Sequence, residues 1–221
     1  MSSSIIRDNA KEPIANVLFA HGAGADKSSD FMNAITSHLV TNQVSVIRFN
    51  FPYMDKRIED GKRRPPDRMP KLLQCFIEQI NLVDDDLPLF IGGKSMGSRV
   101  AATITSNELI DDMPSITKEI SGSFAFGYPF HPIGKPENTR LPPLTARSKE
   151  ILIVQGTRDK LGDEHEIIGY QLEDMCTVNF LADGDHDLKP RVKSGFTHQQ
   201  HIQTAAQQLV DYIKRVIEHD R

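Results

Sequence analysis

The stretch Phe90-Ile91-Gly92-Gly93-Lys94-Ser95-Met96-Gly97-Ser98-Arg99 sets Gly-x-Ser-x-Gly between a short apolar run, Pro88 to Gly92, and a segment of helical character that begins near Ser95. A serine on such a strand-to-helix turn takes a strained backbone conformation. Glycines two residues to either side let neighbouring chain pass without a Cβ clash. The serine Oγ then stands above the end of a sheet. Gly93-Lys94-Ser95 also looks like the end of a phosphate-binding loop, but such a loop has a glycine five residues before its Gly-Lys, and that position is Pro88. An ordinary serine on a glycine-rich turn is the remaining alternative.

On both sides of this turn, short apolar runs alternate with longer amphipathic ones. Ala15 to Ala20, Val44 to Phe49, Pro88 to Gly92, Ser123 to Tyr128, Ile151 to Gln155 and Thr177 to Leu181 have the continuous apolar character of strands covered on both faces. Asp30 to Asn42, Met69 to Val83 and His198 to His219 carry apolar residues at helical spacing, and a further helix is expected within Leu161 to Met175. This rhythm predicts an α/β protein: a three-layer α/β/α sandwich around a mostly parallel sheet of six or seven strands. No repeat or linker divides the chain, so residues 1–221 are read as one domain. Met54 to Arg68 and the Pro-rich Pro129 to Pro143 break the rhythm and are read as surface loops.

A serine nucleophile needs an acid, a base and donors for an oxyanion. Asp159 follows the strand Ile151 to Gln155 on the same sheet edge as Ser95, and Asp163 is a second candidate acid. His186 lies in the acidic, glycine-containing loop Ala182 to Asp187, just past Thr177 to Leu181. Of the eight histidines it is the one expected as base. His198 and His201 sit at i, i+3 like a metal pair, but no third ligand has suitable spacing, so both are read as surface residues. The first long strand exits into His21-Gly22-Ala23-Gly24-Ala25, whose small residues allow close backbone approach to a substrate. The amides of Ala23 and Met96 are the expected oxyanion donors, and His21 is read as a structural residue bonding nearby backbone.

Twenty-six Lys+Arg against 30 Asp+Glu leave a net charge of −4, which supplies no global field for nucleic acid. Cys75 and Cys176 have no metal or redox spacing and are expected to be buried free thiols. There is no apolar leader at the N-terminus and no run of membrane-spanning length, so a cytoplasmic protein without membrane contact is expected. Between Lys56 and Lys71 seven basic residues face three acidic ones. The excess is read as a solvated loop, with a preference for an anionic acyl group as its alternative. Lys94 and Arg99, flanking Ser95, are expected to form salt bridges.

The order Ser95, Asp159, His186, each after a strand, resembles that of the α/β-hydrolase superfamily over Ala15 to about Val216. The chain is most similar to the small lidless branch related to dienelactone hydrolases. Arg48-Phe49-Asn50-Phe51-Pro52-Tyr53 and Gly127-Tyr128-Pro129-Phe130-His131-Pro132 with Gly134-Lys135-Pro136 resemble stretches in a group of bacterial hydrolases. The animal relatives of that group include testis-expressed proteins and a subunit of the nonspecific-lethal chromatin complex. The resemblance implies an α/β-hydrolase fold without a lid, and a serine hydrolase for a small carboxylic ester or thioester that needs no cofactor. Ser95 would be nucleophile, Asp159 acid, His186 base, and His21-Gly22-Ala23-Gly24 the oxyanion loop. A non-catalytic scaffold on the same fold is the alternative. Two departures stand out. Dienelactone hydrolases have Cys where this chain has Ser95, and too few residues precede Ala15 for a full leading antiparallel hairpin.

Overall fold

Six of the apolar runs form strands; five of them are covered on both faces, with alternate residues feeding different cores, and the sixth, Cys176–Leu181, is a part-buried edge strand. The computed structural model describes residues 5–107, 113–172 and 175–219. In chain order they form β1 (Ile6–Asp8), β2 (Ala15–Ala20), α1 (Asp30–Thr41), β3 (Val44–Phe49), α2 (Pro52–Asp60), α3 (Met69–Asn81), β4 (Leu89–Lys94) and α4 (Met96–Ile104). Then come β5 (Gly122–Phe126), α5 (Pro142–Thr145), β6 (Ile151–Gly156), α6 (Glu164–Gly169), β7 (Cys176–Leu181), a 3-10 turn (Val192–Ser194) and α7 (His198–His219).

The seven strands form one sheet in the order β1-β3-β2-β4-β5-β6-β7. All neighbours are parallel except β1, which pairs antiparallel with β3. Among the described residues one three-residue strand precedes β2, anchored by an Arg48–Asp8 ion pair at 2.8 Å. Val17, Phe19, Phe124, Phe126 and Val154 pack against α1 and α7 on one face. Their neighbours Leu18, Ala20, Phe49 and Ile91 pack against α2, α3 and α4 on the other. Farther along that second face, Ala125 and Ile153 meet Tyr128, Phe130, Leu144 of α5 and Ile167 of α6. At about 25 cal/mol per Å² of buried apolar surface, this two-sided burial is the main term holding the sheet together.

Two expectations are revised and one is narrowed. The basic stretch after Phe51 is not all loop: Pro52–Asp60 forms α2, with proline in its first turn, and Gly61 ends it at φ 67°. The helix expected within Leu161 to Met175 is the short α6, capped by Asp163 in a reciprocal capping box with Glu166; residues 173 and 174 of that range lie outside the described residues. Cys75 is buried, but Cys176 only half so; both thiols are free. From 127 to 150, described throughout, the chain makes no more helix than the single turn of α5. Among the described residues no helix is long and apolar enough to cross a membrane.

Strand order reverses direction at β2, with β3 on one side and β4 on the other. The loops leaving β2 and β4 therefore diverge to opposite faces and leave a crevice at the carboxyl edge, where ligands bind in open parallel sheets.

Candidate active site

Ser95 occupies the turn between β4 and α4 at φ 51° and ψ −112°, a strained conformation for a residue with a Cβ. Its two glycines are steric necessities. A Cβ on Gly93 would stand 2.5 Å from the Gly97 carbonyl carbon and 2.7 Å from the Ala20 oxygen, and one on Gly97 would stand 2.7 Å from the oxygens of both Ala20 and His21. The elbow and the end of β2 are in backbone contact, and only glycine permits it.

With the proton on Nδ1, the His186 ring donates to Asp159 Oδ2 at 2.7 Å, and its Nε2 accepts from Ser95 Oγ at 2.8 Å. That tautomer follows from Asp159. Its carboxylate is fully buried and already accepts from Gln155 Nε2 at 2.8 Å and from the Leu161 amide at 2.8 Å. Of the two acids weighed, Asp159 reaches the imidazole and Asp163 caps α6. The amides of Ala23 and Met96 have no acceptor among the described residues, and both residues line a cavity that reaches Ser95.

The loop of Gly22 to Ala25 is held by the Arg48 to Tyr53 stretch. Tyr53 Oη donates to Ala23 O at 3.1 Å, Arg57 of α2 reaches the same oxygen, and Asn50 Oδ1 accepts from the Lys27 amide. His21 sits beneath, donating from Nδ1 to Gly22 O and accepting at Nε2 from the Phe51 amide. Burial drives its pKa down to about 4, with the Gly22 bond and the charges of Asp26 and Asp55 opposing. The neutral ring is required, since a protonated Nε2 would face the Phe51 N–H.

A stability prediction follows. Because the folded pKa lies below the ordinary 6.5, the unfolded chain binds the extra proton between about pH 6.5 and 4. The stability His21 confers is full above that window and is lost as pH falls through it, on the order of 3 kcal/mol in total. Urea unfolding of wild type and His21→Asn between pH 7 and 4.5 should give a steeper loss of stability in the wild type. Parallel pH dependences would overturn the assignment.

Lys94, expected in a salt bridge, has one: its Nζ lies 3.3 Å from Asp187 Oδ1, donates to His186 O at 2.5 Å and sits over the Phe31 ring. It ties the serine turn to the histidine loop. Burial lowers its pKa and Asp187 partly offsets this. Arg99 departs from expectation, with no ion-pair or hydrogen-bond partner for its side chain among the described residues and a buried, unbonded Nε. His198 and His201 are not surface residues merely facing solvent. His198 donates to Asp187 O and the buried His201 to Leu188 O, so the start of α7 clamps the loop that carries His186. Periodicity alone misses this, because the partner carbonyls belong to a distant loop. Gln155 was missed too; its signal is a polar residue closing an apolar strand, four residues before Asp159.

Ser95 stands where two cavities meet. One, of about 670 Å³, is lined by Gly22 to Ala25, Phe31, Lys94, His186 and His198. The other, of about 300 Å³, runs past Met96 toward Arg99, Arg140 and Leu161.

The family model for the alpha/beta hydrolase domain matches residues 13–214, and the chain belongs to that family. Among solved structures it is similar to Est1E from Butyrivibrio proteoclasticus with ferulic acid bound, at 12% identity and a TM-score of 0.67 over 97% of this chain and 95% of that one. It is also similar to a dienelactone hydrolase from Anabaena variabilis, at 15% identity and 0.63 over 96% and 90%. A lidless α/β serine hydrolase from Xanthomonas campestris matches at 15% identity and 0.54 over 97% and 88%.

Proposed function

We propose that the protein is a serine hydrolase that cleaves a small ester or thioester through an acyl-enzyme. The observation that carries this is the continuous hydrogen-bonded chain from Ser95 through His186 to buried Asp159 on the strained turn after β4. Ser95 Oγ attacks the carbonyl carbon as His186 Nε2 takes its proton, and Asp159 keeps Nδ1–H in place and balances the imidazolium. The oxyanion accepts from the Ala23 and Met96 amides, each such donor being worth about 3 kcal/mol in the transition state. His186 then protonates the departing oxygen or sulfur, and the same ring activates the water that releases the acid and restores Ser95. Family membership, and neighbours named as Est1E with ferulic acid bound and a dienelactone hydrolase, support hydrolysis as the reaction class.

The test is a fluorophosphonate probe together with p-nitrophenyl acetate. The folded wild type should label at Ser95, identified by peptide mass, and turn over the ester. Folded protein that neither labels nor hydrolyses would favour a non-catalytic scaffold instead.

A further inference from the structure

The two cavities at Ser95 are chemically unlike, and the reaction assigns them different parts of a substrate. The leaving oxygen must collect its proton from His186 Nε2, so the leaving group belongs in the cavity that His186 lines. The acyl chain then runs the other way, past Met96 into the smaller cavity.

Two guanidinium groups border that smaller cavity. Arg99 stands one turn of α4 beyond Ser95 and has no partner for its side chain among the described residues. The guanidinium of Arg140, from the Pro-rich segment, has among the described residues a single long bond of 3.3 Å to Pro129 O and no ion pair. Burial first, and the charge of Arg99 second, lower the Arg140 pKa, so the two like charges feel one another. The carboxylate present, Asp67, is already engaged by Lys71 Nζ at 2.8 Å and the Tyr53 amide at 2.9 Å. Leu72 and Leu161 supply apolar wall in the same cavity. By contrast, three of the basic residues after Phe51 are engaged: Arg64 pairs with Asp60, Lys71 with Asp67, and Arg57 bonds Ala23 O.

We propose that Arg99 and Arg140 form a carboxylate subsite at the far end of the acyl pocket, so that the preferred substrate is a mono-ester of a dicarboxylic acid. This rests on Ser95 being the nucleophile. A carboxylate placed there takes charge-assisted hydrogen bonds from both guanidinium groups and relieves their mutual repulsion. The arginines act on substrate binding and orientation, without entering the proton transfers.

The experiment compares mono-p-nitrophenyl adipate with p-nitrophenyl hexanoate, which differ by a carboxylate in place of a terminal methyl. Wild type should prefer the adipate ester in kcat/KM by roughly tenfold or more, and Arg99→Gln and Arg140→Gln should each lower that preference by about tenfold, the usual size for a charged hydrogen bond. Arg99→Lys should keep part of it. Because the readout is a ratio within one preparation, differences in folded fraction cancel. A wild-type ratio near one, or ratios within twofold of wild type in both glutamine variants, overturns the subsite. If the wild type cleaves neither ester and takes no fluorophosphonate, the nucleophile reading is what fails. Calorimetric titration with adipate then decides the subsite separately: saturable binding weakened about tenfold by Arg99→Gln supports it, and no saturable binding to wild type rejects it.

Discussion

Ser95→Ala should lower kcat for p-nitrophenyl acetate by about 10⁴ to 10⁶ and abolish fluorophosphonate labelling, while the thermal midpoint moves by no more than a few degrees. The asymmetry follows from where the side chain sits. Among the described residues Ser95 Oγ bonds only to His186, so removing it withdraws the proposed nucleophile and one hydrogen bond worth about 1 kcal/mol. The turn itself is held by backbone: the Ser95 amide donates to Phe126 O, its carbonyl accepts from the Arg99 amide and Ser98 Oγ, and the glycine contacts with β2 are untouched. Steady-state kinetics and a circular-dichroism melt on the same preparation read both halves. Activity within tenfold of wild type would remove Ser95 as nucleophile.

Asp159→Asn should cost about 10⁴ in kcat, and, unlike the serine change, should also destabilise the fold by about 1–3 kcal/mol. The carboxylate accepts three donors: His186 Nδ1, Gln155 Nε2 and the Leu161 amide. A carboxamide offers one acceptor oxygen and one NH2. If its oxygen keeps the Leu161 amide, its NH2 faces Gln155 Nε2 and His186 Nδ1, which drives the imidazole to the other tautomer and turns Nε2–H toward Ser95, where it cannot accept a proton. If the oxygen keeps His186, the NH2 opposes Leu161 N–H in a fully buried site. Either arrangement leaves donors without acceptors. Rates after background subtraction and urea unfolding measure the two effects; wild-type kcat in a folded Asp159→Asn variant would show that this carboxylate takes no part in the chemistry.

Much of this site was legible in the chain because each element of it follows a strand, and strands buried on both faces announce themselves as short apolar runs. Once the runs are placed, parallel connection by helices forces their exits to one edge, and Ser95, Asp159 and His186 are three such exits. The glycines around Ser95 point to close backbone approach even before the partner is known, and β2 proves to be that partner. Less legible were the residues whose work depends on segments remote in sequence. Gln155 reads as an interruption of an apolar strand until Asp159 folds back onto it. Arg57 falls where the charge-rich segment looked like loop, because a proline-initiated helix of low hydrophobicity leaves little periodic signal. His201 reads as polar helix surface, yet it is buried against the loop that carries His186.

Arg99 shows the remaining limit from the other direction. Its position beside the serine suggested an ordinary salt bridge, and composition offered ample carboxylates for one. Among the described residues it has none.

By itself, then, the order of apolar runs, the Gly-x-Ser-x-Gly turn and the loops after two later strands determined a parallel α/β sheet and the identity of the residues gathered at its edge, because a strand's covalent exit is set by its own sequence. Only the tertiary structure decided which charges were neutralised and which faced a cavity. Ion pairing and burial depend on through-space distances between segments dozens of residues apart, and no local pattern encodes those distances.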